Sequence, residues 1–78
     1  MEVFEGISVD STICNGKPVV KGTRISVQTI LEFIAAGDSP EEILAEYPSL
    51  TKESIRQAVR FASQLSGQSH ELLSTVSH

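Results

Sequence analysis

Residues 39–65 read SPEEILAEYPSLTKESIRQAVRFASQL and predict two helices joined by a short turn. Ser39 is a typical N-cap residue, the proline after it suits the first helical position, and Glu42 completes a capping box. Pro48 pushes the residue before it out of the α region, so the first of these helices is expected to end near Glu46. Both ends of this helix are therefore signalled by the sequence itself.

The longer helix that follows is expected to begin after Thr51, which suits the N-cap position, and to fade near residues 66–67. Its apolar residues recur at the spacing of one helical face. They are Ile55, Ala58, Val59, Ala62 and Leu65. A short helix, a tight connection and a longer helix together predict a helix-turn-helix.

A third helix is predicted upstream of this pair, between Ser26 as N-cap and Gly37 as the residue that ends it. Its apolar residues also fall at i, i+3, i+4 and i+7. They are Val27, Ile30, Leu31 and Ile34. We therefore expect a mainly α protein whose three-helix core spans residues 26–65.

The N-terminal residues 1–25 predict short strands and turns in place of another helix. Ile7 and Val9 alternate with polar residues, which is the strand period, and Val19 and Val20 form a second β-branched run. Asn15 and the glycine after it indicate a turn between these runs. A small hairpin, or two short strands around a loop, should precede the helices. Residues 1–65 are thus expected to form one domain, followed by a flexible tail at 66–78.

Composition limits the classes of protein to which the chain can belong. It has 78 residues, 40% of them hydrophobic, and a formal net charge of −4. This excludes a fibrous or wholly disordered chain, and no apolar run is long enough for a membrane span. The single cysteine excludes an internal disulfide and is typical of a reducing cytosol, so a cytoplasmic location is expected. The acidic balance weighs against binding nucleic acid by charge alone.

The longer helix predicted after Thr51 nevertheless carries Lys52, Arg56 and Arg60 four residues apart, with Gln57 beside them. Arginine pairs with guanine, glutamine with adenine, and lysine with phosphate, so these four residues are candidate DNA contacts. Many small helical domains solvate such a face with cations and bind no nucleic acid, and this alternative stays open. Three cations per chain release few counterions, so the DNA hypothesis depends on dimerisation.

A second conspicuous feature is a pair of glycine-containing motifs in the N-terminal part. They consist of Gly16, Lys17, Pro18 and Gly22, Thr23, Arg24. A loop that cradles phosphate is one interpretation, although Pro18 removes an N–H donor and the Walker pattern is absent. The alternative is structural, with glycines in turns, a local hydrogen bond from Thr23, and Arg24 paired with Asp10 or a helix end.

Residues suited to catalysis or metal binding are few. Both histidines lie in the predicted tail, and Cys14 lacks the cationic neighbours that would make it a reactive thiolate. No spacing typical of metal ligands occurs, and no cofactor is expected. We therefore expect that the protein is not an enzyme.

Residues 13–27, which read ICNGKPVVKGTRISV, resemble the signature of the bacterial family called domain of unknown function 433, DUF433. The resemblance continues through most of residues 7–65. It implies a homeodomain-like three-helix fold preceded by short strands, and a dimer. It also implies the role of an antitoxin, which represses its own operon and pairs with a toxin resembling a PIN-domain ribonuclease.

Antitoxins of this kind typically bind the toxin through a C-terminal segment. The apolar residues in the tail are Leu72, Leu73 and Val76, and we expect them to contact such a partner. The alternative is a protein-interaction module that binds a partner through its N-terminal strands or its tail without contacting DNA. A small enzyme or anion-binding domain is a third possibility, and it would use the loop from Lys17 to Arg24.

Overall fold

Three short strands precede three helices in the computed structural model, which describes residues 1–66. The strands are β1 (Glu2–Phe4), β2 (Ile7–Ser8) and β3 (Val19–Val20), with a single 3₁₀ turn at Cys14–Gly16. The helices are α1 (Val27–Ala35), α2 (Pro40–Glu46) and α3 (Lys52–Ser66). The predicted mainly α domain with N-terminal strands is confirmed. Of the predicted tail at 66–78, Ser66 is the last residue of α3, and residues 67–78 lie outside the described residues.

The strands form an antiparallel sheet in the order β1-β2-β3. Ile7 pairs with Val20 and Ser8 with Val19, as the predicted hairpin requires. β1 was not predicted from the sequence. It is connected to β2 by a tight turn and pairs with the edge of β2 opposite β3. Gly6 lies in that turn with a φ of +81°, a conformation that side chains with a Cβ atom rarely adopt.

The predicted helix caps are all present. Ser39 Oγ accepts a hydrogen bond from the backbone N–H of Glu42 at 3.2 Å, and the Glu42 carboxylate accepts one from Ser39 N–H at 2.7 Å. Ser26 Oγ accepts from the N–H of the third residue after it at 3.1 Å, and Thr51 Oγ1 does the same at 3.0 Å. These bonds satisfy N–H groups that have no partner within the helix.

The core lies where the sheet and the three helices meet. Ile7 of β2, Ile30 of α1 and Ile43 of α2 are each 0% exposed, so these three elements each contribute a fully buried isoleucine. The other buried residues of this cluster are Val20, Val27, Leu50, Ile55 and Ala58. Two edge-to-face aromatic pairs surround it, Phe4 with Phe61 and Phe33 with Tyr47, both with centroids 5.7 Å apart. The first pair attaches β1 to α3.

Three apolar residues that the helical spacing assigned to buried faces are exposed. Ile34 is 39% exposed, Val59 41% and Leu65 73%. Their prediction as core residues is wrong because α2 has only seven residues and the sheet has only short strands. The outer turns of α1 and α3 therefore extend beyond the elements that could cover them. Within residues 1–66, no helix is long and apolar enough to cross a bilayer.

Candidate nucleic-acid interface

The buried side chain of Leu50 and several hydrogen bonds hold the connection between α2 and α3 in place. Leu50 is 5% exposed and belongs to the core, and its N–H donates to the carbonyl of Tyr47 at 3.0 Å. In the residues that follow, the Ser54 hydroxyl accepts a hydrogen bond from the Thr51 N–H, and the Thr51 hydroxyl accepts one from the Ser54 N–H. The start of α3 is thus fixed relative to α2, as a helix-turn-helix requires.

Lys52, Arg56 and Arg60 project from the outer side of α3, and we call these three residues the cationic ridge. The Lys52 and Arg56 side chains are 70% and 71% exposed, and Arg60 is also exposed. Residues four apart on a helix lie on the same side, so the ridge runs along α3 for about two turns. The predicted outward cationic edge is therefore present.

Two of the three ridge cations contact carboxylates of the same chain. Lys52 Nζ lies 3.2 Å from Glu41 Oε2, and Arg56 Nε lies 3.6 Å from Glu53 Oε1. Within residues 1–66, no carboxylate lies within ion-pair distance of Arg60. Three cations and two carboxylates leave the ridge with about one net positive charge, which is less than the three cations alone suggest.

These ion pairs are weak enough to exchange with other anions. The Glu41 and Glu53 side chains are 68% and 52% exposed, and exposed pairs contribute about 0–1 kcal/mol to stability. The pKa of Glu41 is lowered from 4.5, first by a hydrogen bond from its own backbone N–H and then by Lys52. At neutral pH the carboxylate therefore stays charged and competes with any incoming phosphate.

A depression of about 310 Å³ lies between the first turns of α2 and α3. It is lined by Pro40, Glu41, Lys52, Ile55 and Arg56. Lys52 and Arg56, the two ridge cations that form ion pairs, thus border the same depression. An anionic group seated there could contact Lys52 and Arg56 together, provided that it displaces Glu41.

Gln57 does not share the outward side of α3 with the ridge, so the sequence prediction of its orientation is wrong. It is half-buried, and a Cβ atom added to Gly6 would clash with its side-chain carboxamide. Gln57 therefore packs against the β1–β2 turn. The prediction failed because it missed β1, whose turn occupies this side of α3.

The two glycine-containing motifs build the junction between the sheet and α1. Thr23 Oγ1 donates to the carbonyl of Val20 at 2.9 Å and accepts from the N–H of Ile25 at 3.0 Å. The carbonyl of Pro18 accepts from the N–H of Val27, the first residue of α1, at 3.0 Å. The predicted local hydrogen bond from Thr23 is confirmed.

The same segment offers little to a phosphate group. The N–H groups of Lys17, Val20, Lys21 and Thr23 all donate to carbonyls within the chain. Lys21 Nζ lies 3.2 Å from Glu2 Oε1, while Lys17 and Arg24 are exposed. Arg24 lowers the pKa of Asp10, but less than the Thr12 hydroxyl and N–H do, and it forms no close ion pair among the described residues. The expected ion pair between Arg24 and Asp10 is therefore not formed among the described residues, and Arg24 has only a minor electrostatic effect on Asp10.

Backbone conformation at the turn before β3 is unusual. Cys14 and Asn15 have φ angles of 51° and 57°, which few non-glycine residues adopt. Cys14 is half-buried, as expected of a small apolar residue, and its thiol donates to the carbonyl of Arg24 at 3.2 Å. Within residues 1–66, no group of three or more acidic, histidine or cysteine side chains could hold a metal ion.

An apolar groove between α1 and α3 was not predicted from the sequence. Its volume is about 210 Å³, and we call it the apolar groove. Its apolar lining residues are Pro18, Val27, Leu31, Phe61, Ala62 and Leu65. The sequence indicated an apolar face on α1 and on α3, but which residues of these faces stay uncovered depends on how the helices pack. The predicted partner contacts Leu72, Leu73 and Val76 lie outside the described residues.

Comparisons with known proteins agree with the resemblance of residues 13–27. The family model described as protein of unknown function, DUF433, matches residues 7–62. An uncharacterized protein of Sinorhizobium fredii, y4eO, is 41% identical over 58 residues, which are 74% of this chain and 26% of that protein. The chain thus spans about a quarter of the length of this curated relative.

The fold is also similar to a solved structure. The crystal structure of a DUF433 member protein from Anabaena variabilis superposes with a TM-score of 0.74 at 29% sequence identity. The superposition covers 88% of this chain and 68% of that one. The overall fold of this chain is therefore similar to one already observed experimentally.

Proposed function

This chain belongs to the DUF433 family, and we propose that it is a helix-turn-helix DNA-binding regulator of the antitoxin type, acting as a dimer in the cytoplasm. The observation that carries the proposal is the cationic ridge on the outer side of α3. The second helix of a helix-turn-helix is the element that enters the major groove. No catalytic step and no cofactor belong to the proposal.

The ion pairs on the ridge are compatible with DNA binding. Phosphate can replace Glu41 at Lys52 and Glu53 at Arg56 because each exposed pair contributes only about 0–1 kcal/mol. Gln57 is left out of the proposed contact because it packs against the β1–β2 turn. The contacts assigned to DNA are therefore Lys52, Arg56 and Arg60 only.

A dimer follows from the small number of charges. One protomer would neutralise about three phosphates, whereas two copies related by a two-fold axis would neutralise about six. The logarithm of the binding constant should then fall with the logarithm of salt concentration with a slope of about −5. The net charge of −4 opposes binding elsewhere on the surface, so the ridge should account for most of this slope.

The decisive experiment measures binding to the DNA upstream of the protein's own reading frame over a range of salt concentrations. The variant Arg56→Gln/Arg60→Gln should reduce the slope to about −2 and weaken binding at least about tenfold. Lys17→Gln/Arg24→Gln changes the net charge equally on another part of the surface and should bind as wild type does. Equal losses in both variants, or no loss in the first, would contradict the assignment to α3.

The carboxylates provide an opposite test of the same ridge. Glu41→Gln/Glu53→Gln removes the groups that compete with phosphate, so this variant should bind the same DNA more tightly than wild type. Glu32→Gln/Glu46→Gln, with the same charge change elsewhere, serves as the control. A gain that is equal in both variants would indicate an effect of net charge alone.

The antitoxin part of the proposal concerns a protein partner. The chain should form a stable complex with the product of the adjacent reading frame, which we expect to resemble a PIN-domain nuclease. Co-expression followed by measurement of the mass of the complex tests this. Two separate masses at micromolar concentration would contradict it and leave the DNA assignment untouched.

A protein-interaction module that does not contact DNA is the second candidate function. The observation that favours it is the outer edge of β1, where Met1 is 84% and Val3 44% exposed. An exposed strand edge can pair with an extended segment of a partner protein. A stable complex with the neighbouring gene product, together with no DNA binding at low salt, would support this candidate over the first.

A further inference from the structure

The apolar groove lies on the side of α3 that faces away from the cationic ridge. Leu65 comes nine residues after Arg56, which places it about 180° around the helix. It stands at one end of the groove with 73% of its surface exposed, and Gln28 is the polar residue that borders the groove within the described chain. The groove is therefore an apolar concavity separate from the proposed DNA contact.

The sequence that follows α3 has a composition suited to this groove. Residues 67–78 read GQSHELLSTVSH and follow directly after Ser66, the residue next to Leu65. Glu71 is the single Asp, Glu, Lys or Arg in this segment, and its apolar residues are Leu72, Leu73 and Val76. Gly67 stands where a glycine commonly ends a helix and lets the chain change direction.

We propose that residues 67–78 fold back over α3 and place Leu72 and Leu73 in the apolar groove of their own chain. Leu72 is six residue steps after Ser66, and an extended chain of that length can span up to about 20 Å, whereas one helical turn measures about 5.4 Å. The reach is therefore sufficient for the segment to return along the groove.

Attachment to the same chain favours this occupant over a second copy or a foreign protein. A short linker gives an effective concentration in the millimolar range, and the segment loses no translational freedom when it binds. The low charge of the segment also matches a groove lined almost entirely by apolar side chains. The proposal does not depend on DNA binding, because the groove and the ridge lie on opposite sides of α3.

Nuclear Overhauser effects in the full 78-residue chain test the proposal directly. Cross-peaks are expected from the methyl groups of Leu72 and Leu73 to the side chains of Leu31 and Phe61. The variant Leu65→Glu places a charge in the groove and should abolish them. Val59→Glu makes the same change at an exposed apolar residue of α3 outside the groove and should preserve them.

Three results of the Overhauser experiment would overturn the proposal. The first is the absence of these cross-peaks in the wild-type chain, and the second is their persistence in Leu65→Glu. The third is cross-peaks between differently labelled copies in a mixed sample, which would identify a second copy as the occupant.

The variant Leu72→Ser/Leu73→Ser provides a test that leaves the folded domain unchanged. It should shift the methyl resonances of Leu31 and Leu65, whereas the control Ser74→Ala/Ser77→Ala should not, and unshifted resonances in the leucine variant would also overturn the proposal.

Discussion

The signature segment, residues 13–27, and the outer side of α3 are constrained by opposite demands. In the signature segment, hydroxyl, carbonyl and N–H groups bond to one another, and two non-glycine residues adopt positive φ angles. On the outer side of α3, the ridge residues are exposed and contact at most one exposed carboxylate each. The first set is fixed by the folded chain, whereas the second is left available to an external partner.

This difference teaches that a recognisable sequence pattern and the proposed binding surface need not coincide. The glycine-containing motifs carry the resemblance to the family, yet the Thr23 hydroxyl and the N–H groups of Gly16, Lys17 and Thr23 bond within the chain. The side chains of Lys17 and Arg24 are exposed. The ridge has no comparable pattern because solvent-exposed cations are compatible with almost any neighbours. Substitutions in the N-terminal part should therefore change stability, and substitutions on the ridge should change binding.

The largest effect is expected at the residue that joins the sheet to the helices. Ile7→Ala removes a side chain that is 0% exposed and should lower the free energy of unfolding by about 2–5 kcal/mol. Val3→Ala, at a residue that is 44% exposed on β1, should cost much less. Urea denaturation followed by circular dichroism measures both values. Equal small losses would break the comparison, since the sheet would then not stabilise the helices.

A smaller effect is expected where the β1–β2 turn meets α3. Gly6→Ala and Gly22→Ala both introduce a Cβ atom at a φ of +81°, which costs about 1–2 kcal/mol. At Gly6 the new atom also clashes with Gln57, whereas nothing lies within 4 Å of it at Gly22. The clashing atoms are at the far end of the flexible Gln57 side chain, which can move aside, so Gly6→Ala should be only slightly more destabilising than Gly22→Ala in thermal denaturation.

The excess cost at Gly6 should disappear when Gln57 is shortened. In a Gln57→Ala background, Gly6→Ala and Gly22→Ala are expected to lower the melting temperature by similar amounts. If Gly6→Ala keeps its excess cost in that background, Gln57 does not pack against the turn. Such a result would return Gln57 to the candidate DNA contacts.

The hydrogen bonds of Thr23 should contribute somewhat less. Thr23→Val keeps the shape of the side chain but leaves the N–H of Ile25 without its partner, at a cost of about 1–2 kcal/mol, whereas the Val20 carbonyl keeps its bond from the backbone N–H of residue 23. Thr12→Val removes an exposed hydroxyl that donates to Asp10 and should change stability by less than about 0.5 kcal/mol. Chemical denaturation of both variants measures the difference, and equal values would show that the signature segment is not held by this residue.

The smallest effect concerns pH. The pKa of Glu41 is lowered from 4.5, first by its own backbone N–H and then by Lys52. Its contribution to stability is therefore fully present above pH 4.5 and is lost as the pH falls through the lowered pKa of the folded state. Glu41→Gln should reduce the loss of stability between pH 5 and pH 3, and Glu46→Gln is the control. A larger reduction in the control would indicate that general charge repulsion dominates.

The sequence predicted the helical part of the fold and the placement of the ridge cations because their determinants are local. Caps depend on residues three positions apart, and the spacing of Lys52, Arg56 and Arg60 places them on one side of any regular helix. The site was predicted less completely. The carboxylate of Glu41 reaches Lys52 across the α2–α3 connection, and Gln57 meets a turn formed by residues 5–6, so neither contact follows from helical spacing.

The sequence by itself determined where the helices begin, which residues turn the chain, and the family to which it belongs, because each of these depends on neighbours a few positions away. Only the tertiary structure decided that β1 joins the sheet, that Leu65 stays exposed beside a groove, and that Lys52 contacts a carboxylate of α2. These features depend on how far one element extends over another, and that distance is set by packing between residues remote in the chain.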